Sequence, residues 1–377
     1  IKKGVFTSCN DDTDCPPWVI TASEIKHDKN KKQLIYDNAL LKIYNVPVLY
    51  FPKFFHPDPT VKRQSGFLKP SVNNSNILGS SLNLPYYHVI SHNKDFTFRP
   101  TFFDNDIKMF QNEYRLKNKN SLAILDFSFV DGYQSSLSNK TNSISHFFAE
   151  FDANLPWKNF TQSDLFISFK KVSNDTYLKI FDSNIFKNKT TPEDYDVLNS
   201  EAQLILNDNN FNLVTGFKSF ESLNLASSDR YQFILPYYDF DKQLFSDFNN
   251  GTINFKSSGS NDLNNTNNLR TKIINDLNFQ SSSILSDNGF KNEYNFYLKN
   301  LNTVAKNDTL YKSSPQMELM SIIELNTSLP LIKQTEDDVS YFTPKISFRL
   351  NPGDMKDYSS SDRSINVDGI FDINRLA

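Results

Sequence analysis

The segment ISHFFAEFDANLP, residues 144–156, places Phe147, Ala149, Phe151, Ala153 and Leu155 on one side of an extended chain. His146, Glu150, Asp152 and Asn154 fall on the other side, with Phe148 the exception. Side chains alternate across a β-strand with a period of two, so such a segment is a strand wetted differently on its two faces. The pattern recurs. FQNEYRLK sets Phe110, Tyr114 and Leu116 against Gln111, Glu113, Arg115 and Lys117, and DLFISFK sets Leu165, Ile167 and Phe169 against Asp164, Ser168 and Lys170. KISFRLN opposes Ile346, Phe348 and Leu350 to Lys345, Ser347, Arg349 and Asn351. From Arg63 onward these segments run to roughly nine to twelve residues, the length of a tilted membrane-spanning strand. Asn, Asp, Ser and Lys separate them as turn formers.

A half-buried sheet of a water-soluble protein also alternates, so the repetition and the polar face carry the weight. About a dozen candidate segments lie between Asp95 and Leu350, which predicts about thirteen or fourteen strands. Whole charges sit on the polar side, Glu113 with Arg115 and Glu150 with Asp152. That suits a wet interior better than a dry core, where unpaired charge is costly. The chain has 34 Phe and 17 Tyr against 2 Trp. A mean hydropathy of -0.51 does not argue against a membrane barrel, because only alternate residues of a spanning strand meet lipid. No window reaches the roughly 18 consecutive apolar residues of a spanning helix. The net charge is -3, with Lys and Arg scattered, so no nucleic-acid partner is expected.

From Trp18 to about Phe55 the texture differs. In WVITASEIKHD, Val19, Thr21, Ser23 and Ile25 alternate with Ile20, Ala22 and Glu24. In the next segment Leu34, Tyr36 and Asn38 alternate with Ile35, Asp37 and Ala39. Short strands with Lys/Asn turns suit part of a small sandwich or jelly roll. The ends, IKKGVFTSC and GIFDINRLA, read as an internal fragment entered and left within ordered elements.

Between the two regimes stands HPDPTVKRQSGFLKP, His56 to Pro70. Pro57 and Pro59 flank Asp58, fixing φ and extending the residues before them. His56 and Asp58 offer two metal ligands without a third nearby, so the segment reads as a stiff connector of His56, Pro57, Asp58, Pro59, Lys62 and Arg63. No Gly-rich phosphate loop, nucleophile triad or metal-spaced His cluster appears, and no enzymatic role or cofactor is expected. Cys9 and Cys15 are compatible with free thiols or with a disulfide formed in an oxidising compartment; with no His pair nearby they do not complete a zinc site.

Three stretches carry a resemblance: PPWVITASEIKHD (Pro16 to Asp28), NVPVLYFPKFFHPDPTVKRQSGFLKP (Asn45 to Pro70) and LNLPYYHVISHNKDFTFRPTFF (Leu82 to Phe103). In this order, with the SGFL-x-P and LPYY elements, the chain resembles the LptD family of lipopolysaccharide-assembly proteins, formerly called organic solvent tolerance proteins. The HPDPTVKR version is similar to the alphaproteobacterial branch. The resemblance is strong over roughly residues 7 to 117. Beyond that it rests on strand texture and on the ELNTSLPL and YFTPKISFRL segments.

The resemblance implies an all-β chain. Residues 1–58 would be the C-terminal portion of a periplasmic jelly roll, and residues 59–377 the N-terminal portion of a large antiparallel outer-membrane β-barrel. It implies lipopolysaccharide as cargo, the plug lipoprotein LptE and the periplasmic bridge protein LptA as partners, and insertion into the outer leaflet through a seam between the first and last barrel strands. SGFLKP would begin the first barrel strand. Pro70 and Pro85 match family prolines that weaken pairing near the seam, making them lateral-gate residues; a bland reading leaves them as turn prolines. Cys9 matches a family cysteine bonded to the distal end of the barrel. Cys15 departs from that pattern, so a Cys9–Cys15 bridge and a bond beyond Ala377 both stay open. Ile20, Ile35, Leu41, Val48 and Tyr50 are candidates for an apolar lining, and Glu113, Arg115, Glu150 and Lys170 for glycan contacts. A passive porin or receptor-type transporter is the alternative, followed by a soluble glycan-binding β protein.

Overall fold

The computed structural model describes residues 2–6, 18–43, 46–58, 60–134, 144–226, 229–335 and 338–352. Cys9, Cys15 and Pro59 lie outside these. The chain divides into two compact units, Ile1–Lys69 with Pro85–Thr97, and Pro70–Leu84 with Phe98–Ala377. The all-β class read from the sequence is the class observed: the regular elements are antiparallel strands, with one four-residue helix among the described residues.

In the first unit β1 (Lys2–Phe6), β2 (Trp18–Asp28), β3 (Gln33–Ile43) and β4 (Val46–Pro57) pair in chain order as a four-stranded sheet. Ile20, Ala22, Tyr36 and Ala39 are its buried core, with Ile25, Leu34, Leu41, Phe51 and Phe54 packed against them. These numbers correct the simple alternation expected for the first two segments. The core face changes parity in three strands at one level: Ala22 gives way to Ile25, Tyr36 to Ala39, and Phe51 to Phe54. Asn38, at φ 52°, sits at that level in the left-handed region that Asn tolerates better than most residues. Its amide donates to Ser23 Oγ (3.1 Å) and accepts from the Tyr50 hydroxyl (2.7 Å). Of the expected lining residues, Ile20 and Leu41 belong to this core, whereas Val48 and Tyr50 are exposed.

Chain order continues with the short strands β5 (Gly66–Phe67), β6 (Ser71–Ser75), β7 (Gly79–Asn83) and β8 (Tyr86–Ser91), and then β9 (Lys94–Phe103). Much longer strands follow. They are β10 (Lys108–Lys117), β11 (Ser121–Asp131), β12 (Ile144–Asn154), β13 (Gln162–Val172), β14 (Val197–Asp208), β15 (Phe211–Ser222), β16 (Tyr231–Asp247), β17 (Gly251–Asn264) and β18 (Asn268–Gln280). The helix α1 (Tyr177–Ile180) lies between β13 and β14. Beyond β18 come β19 (Ile284–Leu285), β20 (Lys291–Lys306), β21 (Gln316–Ser328), β22 (Leu331–Gln334), β23 (Val339–Phe342) and β24 (Lys345–Leu350). From β10 to β18 each strand pairs antiparallel with the next, and the ladder continues through β20 and β21 to β24. This up-and-down order is how a barrel wall is built.

Register transmits the alternation from strand to strand. Phe127 pairs with Phe147, Ala149 with Phe169, Ile167 with Ala202, and Ala202 with Phe217, so these side chains share one face. That face is open: Phe147 is 42 %, Phe169 46 % and Phe217 53 % exposed. On the opposite face Glu113, Asp126, His146 and Glu150 are buried. A water-soluble sheet hides its apolar side; this one hides its charged side.

Further along, the apolar face contains a polar line. Tyr238 bonds to Ser257 (3.1 Å), Ser257 donates to Asn275 (2.8 Å), and Asn275 donates to Asn300 (3.1 Å). These groups satisfy one another across neighbouring strands, which lowers the cost of keeping them on that face. On the reverse face Leu301 and Ala305 of β20, Met320 and Ile322 of β21, and Tyr311 from the connection between them form a second core.

Replacing Asn38 by Ala should lower the unfolding free energy of its unit by about 1–2 kcal/mol, since an alanine pays for the left-handed conformation and supplies neither hydrogen bond. Asn38→Gly should lose less. Chemical denaturation followed at the Tyr36 sheet checks both; equal losses for the two variants would remove the conformational argument.

Candidate functional site

The buried polar face is assembled by a connection folded back onto it. Residues 173–196, between β13 and β14, run across β10, β11 and β12. The Asn188 amide donates to Glu113 (2.7 Å) and Asp126 (2.8 Å), and Gln111 both accepts from the Phe186 amide (2.8 Å) and donates to its carbonyl (3.1 Å). The Tyr177 hydroxyl donates to Ser128 (2.9 Å) and lies 2.8 Å from His146 Nδ1, whose Nε2 is 3.0 Å from Asp126. Burial pushes the Tyr177 hydroxyl's pKa up, so it remains a donor. The Arg99 guanidinium lies 3.7 Å from the Phe186 ring centre, and Lys189 pairs with Glu150 and Asp152. Hydrogen bonds from Lys187 and Tyr195 hold the Asp182 carboxyl below the usual range. Phe148, the outlier of its alternating strand, stacks on His146 at 4.3 Å and joins Tyr177 and Phe181 in the core beneath the connection.

The same segment reaches the β6–β7 hairpin. Asn73 donates to the Ser183 carbonyl (2.9 Å), and Asn184 donates to Ser81 Oγ (2.8 Å). That hairpin turns at Gly79, φ 73°, where a Cβ would strike the Asp104 carboxylate that accepts from the Ser80 amide (3.0 Å). The sequence offered Gln111, Glu113, His146 and Glu150 as polar-face residues; Asp126 and Asn188 were missed. Asp126 alternates with Leu125 and Phe127 and was legible as a strand charge, but no local pattern announces that a remote asparagine meets it. At the Lys117 end of β10–β14 the polar face opens into a cleft of about 590 Å³ lined by Lys117, Asp152, Asn154, Asp164, Phe166 and Gln203.

The connector residues are tied down. His56 and Pro57 end β4, and the Asp58 carboxylate accepts from the Thr60 amide (2.8 Å) and contacts His27 Nε2 (2.7 Å). The Thr60 amide bond is the main cause holding the Asp58 pKa below the usual carboxylate range, and burial lowers that of His56. Lys62 is exposed, whereas Arg63 binds Tyr87, the His92 carbonyl and Asp95. Among the described residues no group of three or more His, Cys, Asp and Glu is placed to hold a metal ion.

Pro70 is exposed between β5 and β6, and Pro85 is buried between β7 and β8. Each falls in a gap where a longer strand would otherwise run, as expected of a residue that cannot donate to the ladder. The Pro85 carbonyl accepts from Leu68 N (2.8 Å), and Leu84 N donates to Pro100 O (3.0 Å). Pairing here is sparse: β5 meets β8 over two residue pairs and β7 meets β9 over three, against ten for β11 with β12.

This chain is similar to curated proteins named LPS-assembly protein LptD. That of Legionella pneumophila (strain Paris) is 29% identical over 202 residues, covering 49% of this chain and 23% of the relative. That of Sodalis glossinidius is 27% identical over 263 residues, covering 65% and 32%, and that of Polaromonas sp. is 37% identical over 98 residues, covering 25% and 12%. The chain is a relative of the LptD family. It spans about a third or less of the length of these LptD proteins. No protein-family model matches it.

Replacing Asn188 by Leu should strip Glu113 and Asp126 of a shared donor and cost about 1–3 kcal/mol, the penalty of leaving buried acceptors unsatisfied. Proteases should then cut within residues 173–196 sooner than in the parent. An unchanged cleavage rate would show that Asn188 does not hold the connection down.

Proposed function

We propose that this chain is part of a lipopolysaccharide translocon of the Gram-negative outer membrane. The observation that carries the reading is the inverted polarity of the sheet over β10–β15. Its Phe-rich face is open and its charged face is enclosed, as a wall between hydrocarbon and water requires. The kinship with LptD proteins supports lipopolysaccharide as the cargo class. On this reading residues 1–58 belong to a periplasmic jelly roll and residues 59–377 to the transmembrane barrel. LptA delivers lipopolysaccharide to the first and LptE plugs the second. Cys9 and Cys15 are the disulfide candidates. No step makes or breaks a covalent bond, and no cofactor is assigned.

The sparse pairing around β5–β8 supports placing a lateral gate there. An edge can open in a barrel only where ladder bonds are few, and Pro70 and Pro85 each remove a donor. Acyl chains would leave through this seam into the membrane while the glycan follows the polar face.

Two measurements test the reading in cells carrying the full-length protein. Phe169→Arg should cost assembly about 2–4 kcal/mol if Phe169 faces mid-bilayer and much less if it faces water. Normal folded amounts of that variant in the outer membrane would contradict the lipid-facing assignment. Replacing Pro70 and Pro85 together by residues that can donate to the ladder should slow the arrival of lipopolysaccharide at the cell surface, and unchanged surface lipopolysaccharide would remove the gate.

A further inference from the structure

The pairing of β5 with β8 is too short to hold by its ladder. Only Gly66 with Tyr87 and Phe67 with Tyr86 are opposed, and an isolated two-stranded contact is marginal even when much longer. Side chains supply what the ladder lacks. Arg63, three residues before β5, donates from Nε to the Tyr87 hydroxyl (2.9 Å) and from one terminal nitrogen to the His92 carbonyl (2.8 Å). Its other terminal nitrogen donates to Asp95 Oδ2, which also accepts from the Tyr87 hydroxyl at 3.3 Å. One planar guanidinium thus reaches three acceptors carried by β8, β9 and the turn between them, a geometry the point charge of a lysine cannot reproduce. The Asp95 side chain is 9% exposed and that of Arg63 32%, so the carboxylate end of the pair is shielded from screening, and losing Arg63 leaves that carboxylate poorly solvated. Two residues on, Ser65 Oγ accepts from the Val89 amide at 2.8 Å. The Leu68 amide then reaches the carbonyl of Pro85.

We propose that Arg63 is the anchor that sets how readily the β5 segment leaves β8. It is a positioning residue for the lateral gate, and in that respect the inference rests on the reading given under Proposed function. The Arg63–Asp95 pair replaces ladder bonds with one charge-assisted cluster at the base of the strand. The strand ahead of Arg63 can then unpair while its root stays fixed. The connector is therefore a hinge pinned at Arg63 and not a free tether.

The test is amide hydrogen exchange in the full-length protein, read on Leu68 and Val89. Exchange of protected amides reports the opening equilibrium of the segment. Arg63→Ala should speed exchange at both positions by about tenfold, the change expected from one charge-assisted hydrogen bond. Asp95→Asn should act in the same direction. Arg63→Lys should fall between Arg63→Ala and the parent, and combining Arg63→Ala with Asp95→Asn should add little to either. Amides of β2 and β3 serve as the control for folding; if Arg63→Ala loses protection there too, Arg63→Lys and Asp95→Asn carry the comparison. Parental exchange at Leu68 and Val89 in these variants would overturn the anchor. Faster exchange with unchanged surface lipopolysaccharide would uphold the anchor and sink the gate, so the two failures are told apart.

Discussion

Everything in the long sheet depends on keeping register while one face is apolar and the other charged. Because side chains alternate with a period of two, a slip of one residue would carry Glu150 to the face of Phe147 and Phe151 to the face of Asp126. The ten consecutive pairs between β11 and β12, and the twelve between β14 and β15, therefore fix which solvent each side chain meets. The hydrogen-bonded line from Tyr238 to Asn300 secures the same alignment where the open face turns polar. There, side-chain bonds replace apolar contact as the cross-strand tie.

Charge on the enclosed face creates the second requirement. Asp126, Glu113 and Glu150 are shut away from bulk water, and each needs donors close by. The 173–196 connection brings them: Asn188 to the first two and Lys189 to the third. It also inserts an apolar layer, with Tyr177, Leu178 and Phe181 fully buried beside Phe148. The connection is thus part of the core, held by both hydrophobic contact and a satisfied polar network. Its bonds to Asn73 and Ser81 extend that hold to the β6–β7 hairpin.

The strands around Pro70 and Pro85 follow another rule. Where β10–β18, β20 and β21 rely on long ladders, the contact of β5 with β8 relies on two residue pairs and on side chains, Arg63 and Ser65 foremost. A segment held in this way can detach without dismantling the rest of the sheet. That contrast is what supports the gate proposed there.

Local pattern determined the all-β class, the strand faces of β10, β12 and β13, and the interruptions of the strands at Pro70 and Pro85. All three follow from period-two alternation and from the missing proline N–H, which are properties of neighbouring residues. Alternation misled at Ser23 and Asn38, because a left-handed residue changes which side chains point inward and nothing in the neighbouring letters marks that position. Only the tertiary structure decided that Phe148 is core, that Asn188 serves Asp126 sixty-two positions away, and that Arg63 grips Asp95 across thirty-two. Such partners are chosen by the folding of the chain back on itself, and a linear pattern carries no record of that distance.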